Sequence, residues 1–251
     1  MKSLIHSDIV KYYNSHETSD SAYIIMELLD GQRITDVKKS EKWDPNDIMK
    51  VTQKLVDILT YFNSKSIIHR DLKPDNILVI RRSLAVGFGN NIEIKIIDFG
   101  LAAFTNENRY IYKRCGTPGF AAPEVLNTSS KGKVTYDSRC DVYSIGVIFY
   151  YLNSGKIPFD GDTFNEIVAK NRAGIVNYRL AALQDMGMMG TDLLKKMLSR
   201  DMNDRFTAEQ CASHPYFSQG NILENKRVSN AIHHLIQNPQ AMMKNIGLNT
   251  D

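Results

Sequence analysis

Apolar and polar positions divide the chain into a short β-rich start and a long helical remainder. Met1 to Leu4 reads as the end of a helix, after which Asp8-Ile9-Val10-Lys11-Tyr12-Tyr13 passes into a β-branched and aromatic segment that predicts a strand. Ala22-Tyr23-Ile24-Ile25-Met26-Glu27 predicts a second strand, and the polar interval from Asn14 to Ser21 makes the two an antiparallel hairpin. Asp44-Pro45 opens a helix with a cap residue followed by proline, and Ile48, Val51, Leu55, Ile58, Leu59 and Phe62 keep helical spacing along one face. Ile67-Ile68 leads into a polar loop and Ile77-Leu78-Val79-Ile80 leaves it as a strand. A long loop is expected from Arg81 to Asn91, then Ile92-Glu93-Ile94-Lys95-Ile96-Ile97 alternates as another strand. Gly87-Phe88-Gly89 is a turn signal only, because no helix follows it to receive an anion. The run from Asp141 to Leu152 is apolar nearly all round, which predicts a helix buried on every side. Phe164, Ile167 and Val168, then Leu193, Leu194, Met197 and Leu198, continue in helical register. Past His214-Pro215-Tyr216-Phe217, the stripe of Val228, Ile232, Leu235 and Ile236 predicts one more amphipathic helix, read as a packed tail.

A chain of 251 residues that is 43% hydrophobic suffices for one substantial core. Lys plus Arg number 31 against 28 for Asp plus Glu, a net charge of +3 that points to neither nucleic acid nor an anionic membrane as partner. Cys115, Cys140 and Cys211 are odd in number and widely spaced, so they spell neither a disulfide framework nor a zinc knuckle. A reducing, cytoplasmic setting is expected. The longest apolar run, Val142 to Leu152, falls short of the about 20 residues that cross a bilayer, and the N-terminus has no signal-peptide layout. The expectation is a soluble protein.

The densest chemistry lies in His69-Arg70-Asp71-Leu72-Lys73-Pro74-Asp75-Asn76. Asp71 suits accepting a proton from a hydroxyl, Lys73 suits neutralising a phosphoryl oxygen, and Asn76 offers the neutral oxygen that a hard divalent cation takes. Such a trio suits phosphoryl transfer. Asp98, on a short Phe-Gly turn after a strand, offers a second oxygen ligand; a capping aspartate before glycine has the same form, so Asp98-Phe99-Gly100 alone is a weak sign. The order of His-Arg-Asp, Asp-Phe-Gly and Ala122-Pro123-Glu124, each in its structural context, is a far stronger one.

This arrangement resembles the eukaryotic protein kinases, and Cys115-Gly116-Thr117-Pro118-Gly119-Phe120-Ala121-Ala122-Pro123-Glu124 is similar to the calcium/calmodulin-dependent serine/threonine type. The resemblance covers residues 1–217 and implies an α+β, protein kinase-like fold. Residues 1–29 would be a remnant of the small-lobe sheet and hinge, 30–217 the mainly helical large lobe, and 218–251 a helical tail. It implies Asp71 and Lys73 as catalytic residues, Asn76 and Asp98 as magnesium ligands, and ATP held by the hinge at Glu27 and Leu29 over the apolar floor of Leu78, with Met26 as gatekeeper. Thr117 would position the target serine or threonine. Structural roles follow for Arg70, for Asp141, which would hold the catalytic-loop backbone, and for the pair of Glu124 and Arg205. In this family the arginine commonly binds a phosphate two residues before the cysteine. Here that position is Lys113, which would repel Arg70 and leaves Thr105, Tyr110 and Tyr112 as the candidate phosphosites.

The sequence contains no glycine-rich phosphate loop and no Val-Ala-Ile-Lys strand before the hairpin, so a shortened small lobe is expected. Two functions follow from that reading. One is a serine/threonine kinase of low activity, with ATP and Mg2+ as cofactors and a protein substrate; the other is a non-catalytic kinase-like module acting through partner binding. Gly31-Gln32-Arg33 stands where calmodulin-type kinases often have Gly-Gly-Glu, while Asp75 keeps an acidic group near the site, so a preference for arginine upstream of the target is the expectation. An uncovered hairpin also predicts a homodimer through Ile9, Tyr12, Tyr23 and Ile25, with the tail as the competing cover.

Overall fold

The first ordered elements are strands β1 (Tyr12–Glu17) and β2 (Ala22–Met26), an antiparallel pair closed by Thr18, whose amide donates to the Ser21 carbonyl at 2.8 Å. This computed structural model describes residues 2–40, 43–83, 90–105, 114–128 and 136–218. The first strand lies further along than its apolar pattern predicts. Ile9 and Val10 are buried and make only a bridge to Ile96, whereas Asn14 to Glu17, polar and exposed, pair through backbone alone. Residues 2–3 form a turn, and Leu4 packs into the core rather than ending a helix.

Next come β3 (Gln32–Arg33), α1 (Ile34–Ser40) and α2 (Pro45–Ser64). Asp44 caps α2 by accepting the Asn46 amide at 2.8 Å, with Pro45 at the first turn where its missing N–H costs nothing. The predicted stripe from Ile48 to Phe62 is buried throughout. Strands β4 (Ile67–Ile68), β5 (Ile77–Ser83), β6 (Asn90–Ile96) and β7 (Ala103–Phe104) follow. Their pairings are antiparallel, in a sheet of order β3-β5-β6 and a separate β4-β7 pair. The ladder of β5 and β6 runs from Ile77↔Ile96 out to Ser83↔Asn90, so both strands extend into the stretch expected to be a long loop. Its Gly87-Phe88-Gly89 lies outside the described residues.

The helical part comprises α3 (Pro123–Asn127), α4 (Arg139–Ser154), α5 (Phe164–Ala173), α6 (Gly187–Met197) and α7 (Ala208–Ala212). Helix α4 is its axis: every residue from Cys140 to Tyr150 is buried, and α2, α6 and α7 gather in the same core. Each such apolar side chain contributes about 1.5–3 kcal/mol by leaving water. Gly146 permits a close approach of α4 to the end of α6, since a Cβ there would stand 2.9 Å from atoms of both Met197 and Leu198. Tyr216 and Phe217 close the core, while the expected helix over Val228 to Ile236 lies outside the described residues.

Candidate active site

The loop between β4 and β5 is built around one unfavourable backbone conformation. Arg70 has φ of 68°, a left-handed geometry that costs a residue with a Cβ about 1–2 kcal/mol. Asp141, at the start of α4 and 1% exposed, offsets it: one carboxylate oxygen accepts the His69 amide at 2.6 Å and the other accepts the Arg70 amide at 2.8 Å. Burial pushes the Asp141 carboxyl up to about 6, against the pull of those two amides. His69 is also buried, its ring 5.0 Å from that of Phe99 and 6.0 Å from that of Phe62, and burial drives its imidazole down to about 4 despite the charges of Asp71 and Asp98.

Held in this way, the loop presents a closed triangle of polar atoms. Lys73 donates to Asp71 Oδ2 and to Thr117 Oγ1, both at 2.9 Å, and the Thr117 hydroxyl donates to Asp71 Oδ1 at 2.7 Å. Thr117 is 46 residues away in sequence and arrives because the chain at Gly116 comes against the loop. With φ of 88°, Gly116 brings its α-carbon so close that a Cβ would lie 2.8 Å from the Arg70 carbonyl oxygen. Asn76, buried, donates from Nδ2 to the Asp71 carbonyl at 2.9 Å, which leaves its amide oxygen for another ligand. The Ile97 amide, one residue before Asp98, donates to the Asn76 carbonyl at 3.1 Å. Asp98 is exposed, and one of its carboxylate oxygens accepts the Gly100 amide at 2.8 Å. An amide oxygen and an exposed carboxylate are hard donors that fit magnesium, which keeps several waters and takes few protein ligands. Among the described residues no group of three or more His, Cys, Asp or Glu gathers as a fuller metal site.

A sequence model of the protein kinase domain matches residues 1–217. The chain belongs to the protein kinase family. Calcium-dependent protein kinase 3 of Plasmodium berghei (strain Anka) is 34% identical over 224 residues, covering 87% of this chain and 38% of that protein. Calcium-dependent protein kinase 5 of Plasmodium falciparum (isolate 3D7) is 32% identical over 240 residues, 92% of this chain and 39% of its own. Myosin light chain kinase A of Dictyostelium discoideum is 30% identical over 222 residues, 88% of this chain and 72% of its own. The chain thus spans well under half the length of the two calcium-dependent relatives. All three names fit the calcium/calmodulin-dependent serine/threonine type that the Cys115–Glu124 motif resembles.

In this kinase domain the remaining predicted residues fall into two groups. Glu124 and Arg205 meet as a bidentate pair, at 2.5 and 3.0 Å, with the Arg205 side chain fully buried and stacked 4.9 Å from the Tyr143 ring. Arg70 donates from Nε to the Leu101 carbonyl at 2.7 Å and from Nη1 to the Tyr136 hydroxyl at 3.1 Å. Tyr136 is a partner that the sequence gave no sign of. Lys113, Tyr110 and Tyr112 lie outside the described residues, whereas Thr105 is exposed and its amide donates to the Ser66 carbonyl at 2.7 Å.

The residues expected to take adenine lie on β2, on the segment that follows it and on β5. Leu78 is half-buried on β5, Leu29 is half-buried, Met26 is 38% exposed, and Glu27 is held by contacts that sequence reasoning missed. Its carboxylate takes Lys95 Nζ at 3.0 and 3.2 Å and the Lys11 amide at 3.0 Å. Burial pushes the Glu27 carboxyl up, but the Lys11 amide and the Lys95 ammonium outweigh it and hold it below the usual carboxylate range. Glu27 and Lys95 are 68 residues apart and belong to different local patterns, so no periodicity joins them.

Proposed function

We propose that this kinase domain transfers the γ-phosphoryl group of ATP to a serine or threonine hydroxyl of a protein. The reading rests on the contact of Asp71, Lys73 and Thr117. Asp71 accepts the proton of the incoming hydroxyl, Lys73 screens charge that develops on the transferred group, and Thr117, whose hydroxyl already reaches both, orients the acceptor. Asn76 and Asp98 hold Mg2+ by their free oxygens, and the backbone of Glu27 to Leu29 takes the adenine over Leu78. Bound magnesium supplies neutralisation of the phosphate oxygens. The substrate proposed is a peptide with arginine upstream of the target, drawn by exposed Asp75, in a reducing cytoplasmic setting where Cys115, Cys140 and Cys211 stay as free thiols.

The 251 residues contain no glycine-rich loop and no lysine strand, so turnover by them alone is set below the about 1–100 s⁻¹ ordinary for kinases. The test is phosphate incorporation into a generic protein substrate with Mg-ATP, beside Asp71→Asn. Incorporation that the variant loses supports the reading; equal incorporation by both sinks it. A second reading, a non-catalytic module that acts through a partner, is favoured by the exposed apolar strand β2, where Tyr23, Ile24 and Ile25 are each more than half exposed. It predicts no incorporation at all. A homodimer through the same hairpin is the partner proposed.

A further inference from the structure

Three segments converge on Lys95. It stands on β6 directly opposite Leu78 of β5, so the two side chains share one face of the sheet. From there Nζ reaches both carboxylate oxygens of Glu27, the first hinge residue, and lies 3.5 Å from the Ile9 carbonyl. Glu27 in turn exchanges backbone and side-chain bonds with Lys11: its amide donates to the Lys11 carbonyl at 2.8 Å, and its Oε2 accepts the Lys11 amide at 3.0 Å. One residue beyond Lys95, Ile96 is fixed on its other edge by the Asp8 carbonyl at 3.0 Å and the Val10 amide at 2.9 Å. Two residues further, past the end of β6, is Asp98.

The pair is poorly suited to a purely stabilising role. The lysine side chain is 15% exposed and that of the glutamate 26%, and an ion pair within reach of water returns little once a long side chain is immobilised. What it does supply is a fixed distance. Its two ends belong to the segment proposed to take adenine and to the strand that leads to a proposed cation ligand, and the charge contact of these side chains spans the two.

We propose that Lys95 and Glu27 are a positioning pair that sets the hinge against the strand that leads to Asp98, so that a ligand touching both ends is favoured over one touching the hinge alone. The proposal rests on the nucleotide-binding reading above. A loosened pair leaves each end competent but uncorrelated, and the ligand that must satisfy both then loses preorganisation.

The experiment compares Mg-ATP with adenosine, which lacks the phosphates, by calorimetric titration of the unmodified chain, Lys95→Met, Lys95→Arg and Glu27→Gln, with hinge-amide hydrogen exchange measured on the unliganded proteins. Lys95→Met and Glu27→Gln are expected to weaken Mg-ATP roughly fivefold to tenfold and adenosine by less than about twofold, with Lys95→Arg close to the unmodified chain. Equal loss for both ligands, or no loss for either, overturns the proposal. If the unmodified chain binds neither ligand, the nucleotide reading itself fails, and hydrogen exchange decides the pair. Faster exchange over residues 27–30 in Lys95→Met, restored in Lys95→Arg with α2 protection unchanged, keeps it as a hinge-positioning contact. Unaltered exchange removes that role too.

Discussion

Arg205 and Glu124 face each other across 81 residues of sequence through two N–H···O bonds, and the guanidinium has no solvent exposure. The same arginine donates to the carbonyls of Ser199 at 3.0 Å and Arg139 at 3.1 Å, so one side chain ties the segment after the active site to the start of α4 and to the chain beyond α6. Removing it strands a mostly buried carboxylate, 15% exposed, and two carbonyls together. Arg205→Met is therefore expected to cost about 3–5 kcal/mol, read as a lower urea midpoint. Glu124→Gln is expected to cost less, because the amide oxygen still accepts one bond. A loss below about 1 kcal/mol for Arg205→Met would place the pair among surface bridges.

Thr117→Ser keeps the hydroxyl that joins Asp71 and Lys73, and Thr117→Val removes it at nearly constant volume. The valine variant is expected to lower phosphate incorporation by roughly tenfold to a hundredfold, the worth of a hydrogen bond to charged groups, and the serine variant by only a few-fold. Equal rates for valine and serine argue that the hydroxyl takes no part in placing the acceptor.

Asp141 provides a pH test. Its folded-state carboxyl is raised to about 6 from 3.8, so the folded protein holds that proton to a higher pH than the unfolded chain. The stability it contributes is complete below pH 3.8 and is lost as pH rises through about 6. Relative to Asp141→Asn, the unmodified chain should lose on the order of 3 kcal/mol between those limits, measured as the difference in unfolding free energy at pH 4 and pH 6.5. A difference that does not vary with pH contradicts the assignment.

The hairpin yields an assembly test. All five residues of β2 are exposed, and Tyr13, Tyr23, Ile24 and Ile25 present apolar surface beside unpaired strand edges. Light scattering is expected to show dimer forming above micromolar concentration and Tyr23→Lys to abolish it. A strict monomer whose hairpin amides resist hydrogen exchange rules the dimer out.

Much of this architecture is legible in local pattern. Asp44-Pro45 marks the start of α2, and the unbroken apolar run after Asp141 marks the buried helix α4, because capping and all-round burial leave their signs within a few residues. Helix α1 left no such sign: it has seven residues and buries only Ile34 and Val37, too few for a period to emerge. The polar half of β1 is invisible for a related reason, since a strand held by backbone bonds alone needs no alternation. Within the site, motif order indicated Asp71, Lys73, Asn76 and Asp98 together. The contacts of Arg70 with Tyr136 and of Lys95 with Glu27 depend on how distant segments pack, which spacing does not encode.

The bridge between Ile9 and Ile96 has a consequence for the order in which the chain folds. Strands β5 and β6 are neighbours in sequence and close a small loop, whereas joining Asp8 to Ile96 closes one of nearly ninety residues, and that entropy is lost before any contact repays it. The β5-β6 ladder is therefore expected to form first and to serve as the template on which the N-terminal arm docks late. Shaving Ile9 to valine is then expected to speed unfolding while leaving the refolding rate nearly unchanged, whereas the same truncation at Ile94, inside the ladder, slows refolding.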